Sequence, residues 1–201
     1  MGQVLCYRGC KSLLFFSVLG LLFFSSCRST QSFTSPLPEE YSIRMSKSSA
    51  SGYKNVKRVR KYEFAHRDVP AAFDGCRLGF VSDLHYRSLL KEKGLRDITR
   101  LLNDLRLDAL LIGGDLHEGC EYVPDVIAAL GAVKTPLGTY AVLGNNDYEA
   151  CYDDILKEME RQGIHLLEHE ADTLKRNGGR IVIAGVRNPF NLGQNAFALS
   201  R

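Results

Sequence analysis

Three short stretches of this 201-residue chain carry residue types suited to holding a hard cation: Ser82-Asp83-Leu84-His85, Gly113-Gly114-Asp115 and Gly144-Asn145-Asn146-Asp147. Each offers a carboxylate, an imidazole or an amide oxygen, and glycines beside them permit close approach of backbone to an ion. One residue separates Asp83 from His85, so in extended backbone both side chains point the same way and can grip one metal. Singly, each stretch has a plain structural reading, as a helix cap with a surface histidine or as a turn whose side chains bond their own backbone. Their recurrence in order, each after a short apolar run, points instead to one shared centre.

Those apolar runs define the elements that must bring the three stretches together. Arg77 to Ser82 reads as a strand, Leu89 to Arg106 as a helix with Leu95, Ile98, Leu102 and Leu105 on one side, and Asp108 to Ile112 as a buried strand. Pro124 to Val133 is a second helix, Thr139 to Leu143 a third strand, Cys151 to Gln162 a third helix and Ile164 to Leu167 a fourth strand. Alternation of this kind demands right-handed crossovers and a largely parallel sheet, with the three stretches on the rim at the C-terminal ends of the strands. Beyond it, Thr173 to Arg176 and Arg180 to Ala184 flank Asn177-Gly178-Gly179, a hairpin signal.

In these motifs, Asp-x-His, then Gly-Asp, then Gly-Asn followed two residues on by Asp, the sequence from about Tyr53 to Arg201 resembles the calcineurin-like metallophosphoesterases. The resemblance implies an α/β fold, a four-layer αββα sandwich of two mixed sheets between helices. It also implies two divalent metal ions, drawn from Mn, Fe, Zn, Mg or Ni, about 3.5 to 4 Å apart. Carried over by position, Asp83 and His85 bind the first metal, Asp115 bridges both and Asn145 binds the second. The implied reaction is hydrolysis of a phosphate ester or pyrophosphate by a metal-bridged hydroxide, on a phosphorylated small molecule or a lipid precursor. Asn146 and Asp147 then take the catalytic positions, Asp147 being the family's orienting carboxylate.

Two departures qualify that implication. Asn146 stands where the family carries a histidine, and an amide donates a hydrogen bond to phosphate but transfers no proton at neutral pH. The family's later histidine motifs are absent: after Asn145 only His165 and His169 remain, and both are expected to be non-ligands, as are His66 and His117. The first metal then has three ligands and the second only Asp115 and Asn145, so two-ion binding is expected to be weak. A full sandwich needs roughly another 80 to 120 residues, and this chain is expected to be its N-terminal portion, incomplete at the C-terminus. The competing reading is a non-catalytic, membrane-tethered lipoprotein remnant or metal-binding module.

The N-terminal quarter differs in composition. Leu13 to Phe24 is apolar apart from Ser17 and Gly20, and follows Arg8 and Lys11. Twelve residues make a helix of about 18 Å, too short for a hydrocarbon core that needs about 20 residues. With Ser25-Ser26-Cys27 after it, the segment 1–27 reads as a secretory signal and resembles the lipobox of bacterial lipoproteins, although Phe24 occupies the usual aliphatic position. An exported, membrane-anchored protein of the bacterial envelope is expected. Residues 28–52, rich in Ser and Thr, read as a flexible tether and 53–201 as the phosphoesterase domain. Within that domain, Tyr53 to Arg67 is basic and reads as an edge strand rather than a lipid-headgroup contact.

Charge and cysteine counts exclude other classes. The net charge is +3, but residues 71–201 hold fifteen basic against nineteen acidic residues, so no nucleic-acid binding is expected. Six cysteines are too few for a disulfide scaffold. After the signal and Cys27, Cys76, Cys120 and Cys151 remain. Cys120 and Cys151 each follow a ligand stretch and could pair, but free thiols are the expectation.

Overall fold

The computed structural model describes residues 3–8, 41–48, 50, 52–148 and 151–188. Its largest element is a seven-stranded sheet in the order β2-β3-β1-β4-β5-β6-β7. These strands are β1 (Gln3–Arg8), β2 (Tyr41–Ser48), β3 (Val59–His66), β4 (Arg77–Ser82), β5 (Ala109–Ile112), β6 (Thr139–Ala141) and β7 (Ile164–Leu166). From β4 to β7 the strands are parallel, with Leu110 level with Thr139 and Thr139 level with Ile164. Each step is a crossover through a helix, as the alternation of apolar runs requires.

The helices are α1 (Glu92–Asp104), α2 (Val123–Gly131) and α3 (Tyr152–Gln162). Gly94, Leu95, Ile98, Leu101 and Leu102 give α1 one buried stripe at three- and four-residue spacing. Pro124 sits in the first turn of α2, where its missing N–H costs nothing. Gly163, left-handed at φ 66°, closes α3. Helix α1 begins three residues later than the spacing predicts. The carbonyl of His85 accepts the Ser88 and Leu89 N–H groups and Arg87 N–H donates to the Leu90 carbonyl, so that stretch belongs to the preceding loop.

Alternate residues of the central strands serve two cores. Leu110 and Ile112 pack with Leu102, Val126, Ile127 and Ile155 under the helices, whereas Ala109 packs on the opposite face with Phe73, Tyr140, Leu174 and Ile181. The second face is covered by a hairpin, β8 (Glu170–Arg176) and β9 (Gly179–Gly185), which forms its own two-stranded sheet. Helices, parallel sheet and hairpin are three successive layers, in agreement with the α/β class expected.

The N-terminal part corrects two expectations. Strand β3 is no edge: it lies between β2, antiparallel, and β1, parallel. The edge is β2, formed by residues 41–48 from the stretch read as tether, whose Ile43 and Met45 are exposed. Its pairing rests on the backbone ladder rather than on burial, and composition does not reveal that. Strand β1 falls inside the segment read as a signal and stands between β3 and β4. Leu13 to Phe24 and Cys27 lie outside the described residues. Among those described, no helix is long and apolar enough to cross a membrane.

Candidate metal centre

The loop after β4 and the loop after β5 are laced together by backbone. Asp83 N–H donates to the Gly114 carbonyl at 3.0 Å, His85 N–H to the Asp115 carbonyl at 3.1 Å and Tyr86 N–H to the Leu116 carbonyl at 2.9 Å. Asp83, His85 and Asp115 all adopt positive φ, 54°, 40° and 55°. This conformation costs non-glycine residues of order 1 kcal/mol or more and collects at functional sites. The backbone here is therefore not extended, and left-handed turns, rather than strand alternation, aim the ligands. Ligand atoms of Asp83, His85 and Asp115 lie within 4.8 Å of one another. Two carboxylates and an imidazole at that separation form a donor set that fits a divalent cation.

The third loop meets the second at two glycines. A Cβ on Gly114, at φ 86°, would lie 2.0 Å from Gly144 N, and one on Gly144 would lie 2.1 Å from Asp115 Oδ1. Only glycine at both positions lets the loops close on the Asp115 carboxylate. Asn146 N–H then donates to Asp115 Oδ1 at 3.1 Å, fixing that carboxylate.

Asp147 is fully buried and does not face the opening. It accepts the Asp115 N–H at 2.7 Å, the Leu116 N–H at 3.1 Å and the Gly144 N–H at 2.9 Å, clasping the second and third loops by their backbones. Burial pushes its carboxyl above the ordinary carboxylate range, against the pull of the three N–H donors. Asn145 is exposed, with its amide donating to Asn146 Oδ1 at 2.7 Å.

Glu118 is a contributor that sequence reasoning missed. Its carboxylate accepts from His85 Nδ1, and the Asn146 amide nitrogen stands 3.4 Å from the same ring atom. A proton held on Nδ1 by the carboxylate leaves Nε2 with its lone pair free for a cation. The available signal was an acidic residue three positions after Asp115. Beyond the metal loops, Tyr148 and Tyr152 both donate to Glu168 at 2.5 Å, and Arg187 lies over both rings.

Cysteine pairing departs from expectation: Cys120 and Cys151 form a disulfide, with Cα atoms 5.1 Å apart, while Cys76 is a free, buried thiol. The two loops converge on the shared centre, and this proximity brings together thiols 31 residues apart. The histidines expected to be non-ligands lie outside the ligand cluster: His165 stacks on Tyr140 at 5.1 Å, and His117 is buried with Nε2 3.7 Å from Asp147 Oδ1.

The model of the calcineurin-like phosphoesterase family matches residues 76–192, from the start of the parallel core through the hairpin. The chain belongs to that family. Among its relatives, "Uncharacterized metallophosphoesterase" of Helicobacter pylori (strain ATCC 700392 / 26695) is 31% identical over 119 residues, 59% of this chain and 31% of the relative. "Uncharacterized metallophosphoesterase" of Aquifex aeolicus (strain VF5) is 28% identical over 133 residues, 64% of this chain and 48% of the relative. "Transmembrane protein with metallophosphoesterase domain" of Danio rerio is 26% identical over 134 residues, 64% of this chain and 31% of the relative. The chain thus spans about a third to a half of the length of these calcineurin-like relatives. No solved structure matches it.

Proposed function

We propose that this chain carries the metal-binding half of a phosphoesterase site that cleaves a phosphate ester or pyrophosphate. The observation that supports the reading is the convergence of Asp83, His85 and Asp115 ligand atoms within 4.8 Å on adjacent strand ends. Asp83, His85 and Asp115 would hold a first divalent cation, and Asp115 with the Asn145 amide oxygen would be the residues available to a second. When bound, the cations supply Lewis acidity toward the phosphoryl oxygens and a nucleophile from water at neutral pH. The protein's own part is positional. Glu118 sets the His85 tautomer, the Asn146 backbone fixes Asp115, and Asp147 holds the loops in register. The Asn146 side chain offers its amide N–H to a phosphate oxygen and leaves protonation of the leaving group to solvent.

Export follows as part of the same proposal. Residues 1–27 act as a signal, with Cys27 as the site of lipidation, so that β1 belongs to the precursor and leaves with the signal, and the Cys120–Cys151 disulfide supports an oxidising compartment outside the cytosol.

The test is hydrolysis of an activated aryl phosphate by the full chain with each candidate divalent cation, beside metal analysis. Turnover that requires added metal and disappears in Asp115→Asn is expected. One bound ion per chain and no turnover with any cation would favour a metal-binding module, a reading that rests on the three clustered ligands and on the Asn145 amide being engaged by Asn146.

A further inference from the structure

Away from the metal loops, a groove of about 1000 Å³ runs between α1 and α2, bordered by the 52–55 loop and the turn at Tyr86 and Arg87. Six cations line it, Lys54, Arg87, Lys93, Arg96, Arg100 and Arg161, against three carboxylates. This reverses the charge of its surroundings, since residues 71–201 are net acidic. Three of the cations are already matched: Arg96 by Glu92, Arg100 by Asp97 and Arg161 by Glu158. Lys54, Arg87 and Lys93 have no carboxylate partner among the described residues, and Asp125 is the one lining carboxylate without a cation. A surplus of positive charge is therefore held in a concavity rather than spread over a convex face, where water would screen it.

Arg87 is set up for an acceptor with two adjacent oxygens. Its guanidinium lies 5.0 Å from the Tyr86 ring centroid and 5.2 Å from that of Tyr122, and these rings meet edge to face. Stacking orients the fork of donors while leaving its N–H edge open, and such a fork matches phosphate oxygens. Its backbone is left-handed, at φ 82°. On α1, Lys93, Arg96 and Arg100 follow at three- and four-residue spacing along one side of the helix.

We propose that this groove is a second anion site, separate from the metal rim, which takes a phosphate-bearing anion: a short polyphosphate or the phosphodiester headgroups of an anionic phospholipid surface. Arg87 supplies the oriented fork, Lys93 and Lys54 supply point charges, and the paired arginines keep the walls fixed.

The full chain carrying Asp115→Asn, which disables the metal rim, is titrated calorimetrically with inorganic tripolyphosphate and sedimented with phosphatidylglycerol or phosphatidylcholine vesicles. Binding of tripolyphosphate, of phosphatidylglycerol vesicles or of both is expected, and the pattern identifies the source of the phosphate. Adding Arg87→Ala and Lys93→Ala should weaken it about a hundredfold, roughly tenfold for each charged hydrogen bond removed. Lys134→Ala, outside the groove, should leave it unchanged. The proposal is overturned if neither probe binds the Asp115→Asn chain, or if the Arg87/Lys93 variant binds as tightly as its parent. Thermal melting of each variant distinguishes weakened binding from failure to fold.

Discussion

Asp147 shapes the loops of the candidate metal centre from beneath, without facing it. Its two carboxylate oxygens hold three buried N–H groups from two loops. Asp147→Ala leaves those donors unpaired at about 1–3 kcal/mol each, so a loss of roughly 3–9 kcal/mol in unfolding free energy is expected, checked by chemical denaturation. Glu118→Gln is milder. The amide keeps a neutral hydrogen bond to His85, and metal affinity should fall about 10- to 100-fold while the melting temperature barely moves, a split that calorimetric metal titration can read. The grouping of Asp83, His85 and Asp115 was legible in the sequence because carboxylate and imidazole types declare their chemistry at any position. Glu118 was not, because an acidic residue beside a turn is ordinary until a histidine ring is seen against it.

Among elements, the disulfide ties the turn ahead of α2 to the N-terminus of α3, and so fastens the exits of the second and third metal loops. In the chain-entropy account, closing a loop of 31 residues is worth about 3–4 kcal/mol. The double variant Cys120→Ser/Cys151→Ser should lose stability on that scale and bind metal more weakly, measured by melting and metal titration under non-reducing conditions. Cys76 gives little competition for the pairing: burial pushes its thiol up to about 11, leaving almost no thiolate to attack the bridge near neutral pH. The strands and helices of the parallel core were legible from periodicity, with boundaries shifted by a few residues where ligand loops claim the backbone. Strand β2 was not, since Ser42, Arg44, Ser46 and Lys47 look like linker and only a partner strand makes them a ladder.

For the molecule as a whole, the sheet has two unequal sides. Under the helices, 25 buried apolar residues form one cluster, while the face beneath the β8–β9 hairpin gathers eight among the described residues. Less burial means a smaller free energy to open. Amide exchange should therefore run faster in the β8–β9 hairpin than in β4 and β5, and Leu174→Ala, at a site 1% exposed, should widen that gap. Equal protection on both sides would show that the layers open as one unit. The layer order was readable from the alternation of elements, but the imbalance between faces was not, because it depends on which residues the hairpin reaches.

The covalent tie between Cys120 and Cys151 also bears on how the protein is prepared. Made in a bacterial cytosol kept reducing by glutathione, the chain would leave the ribosome with the turn ahead of α2 and the start of α3 unfastened from each other. On the function proposed above, such a preparation is expected to purify metal-poor. Secretion into the periplasm, or refolding with an oxidant before metal is added, is the route that gives any assay of this protein its meaning.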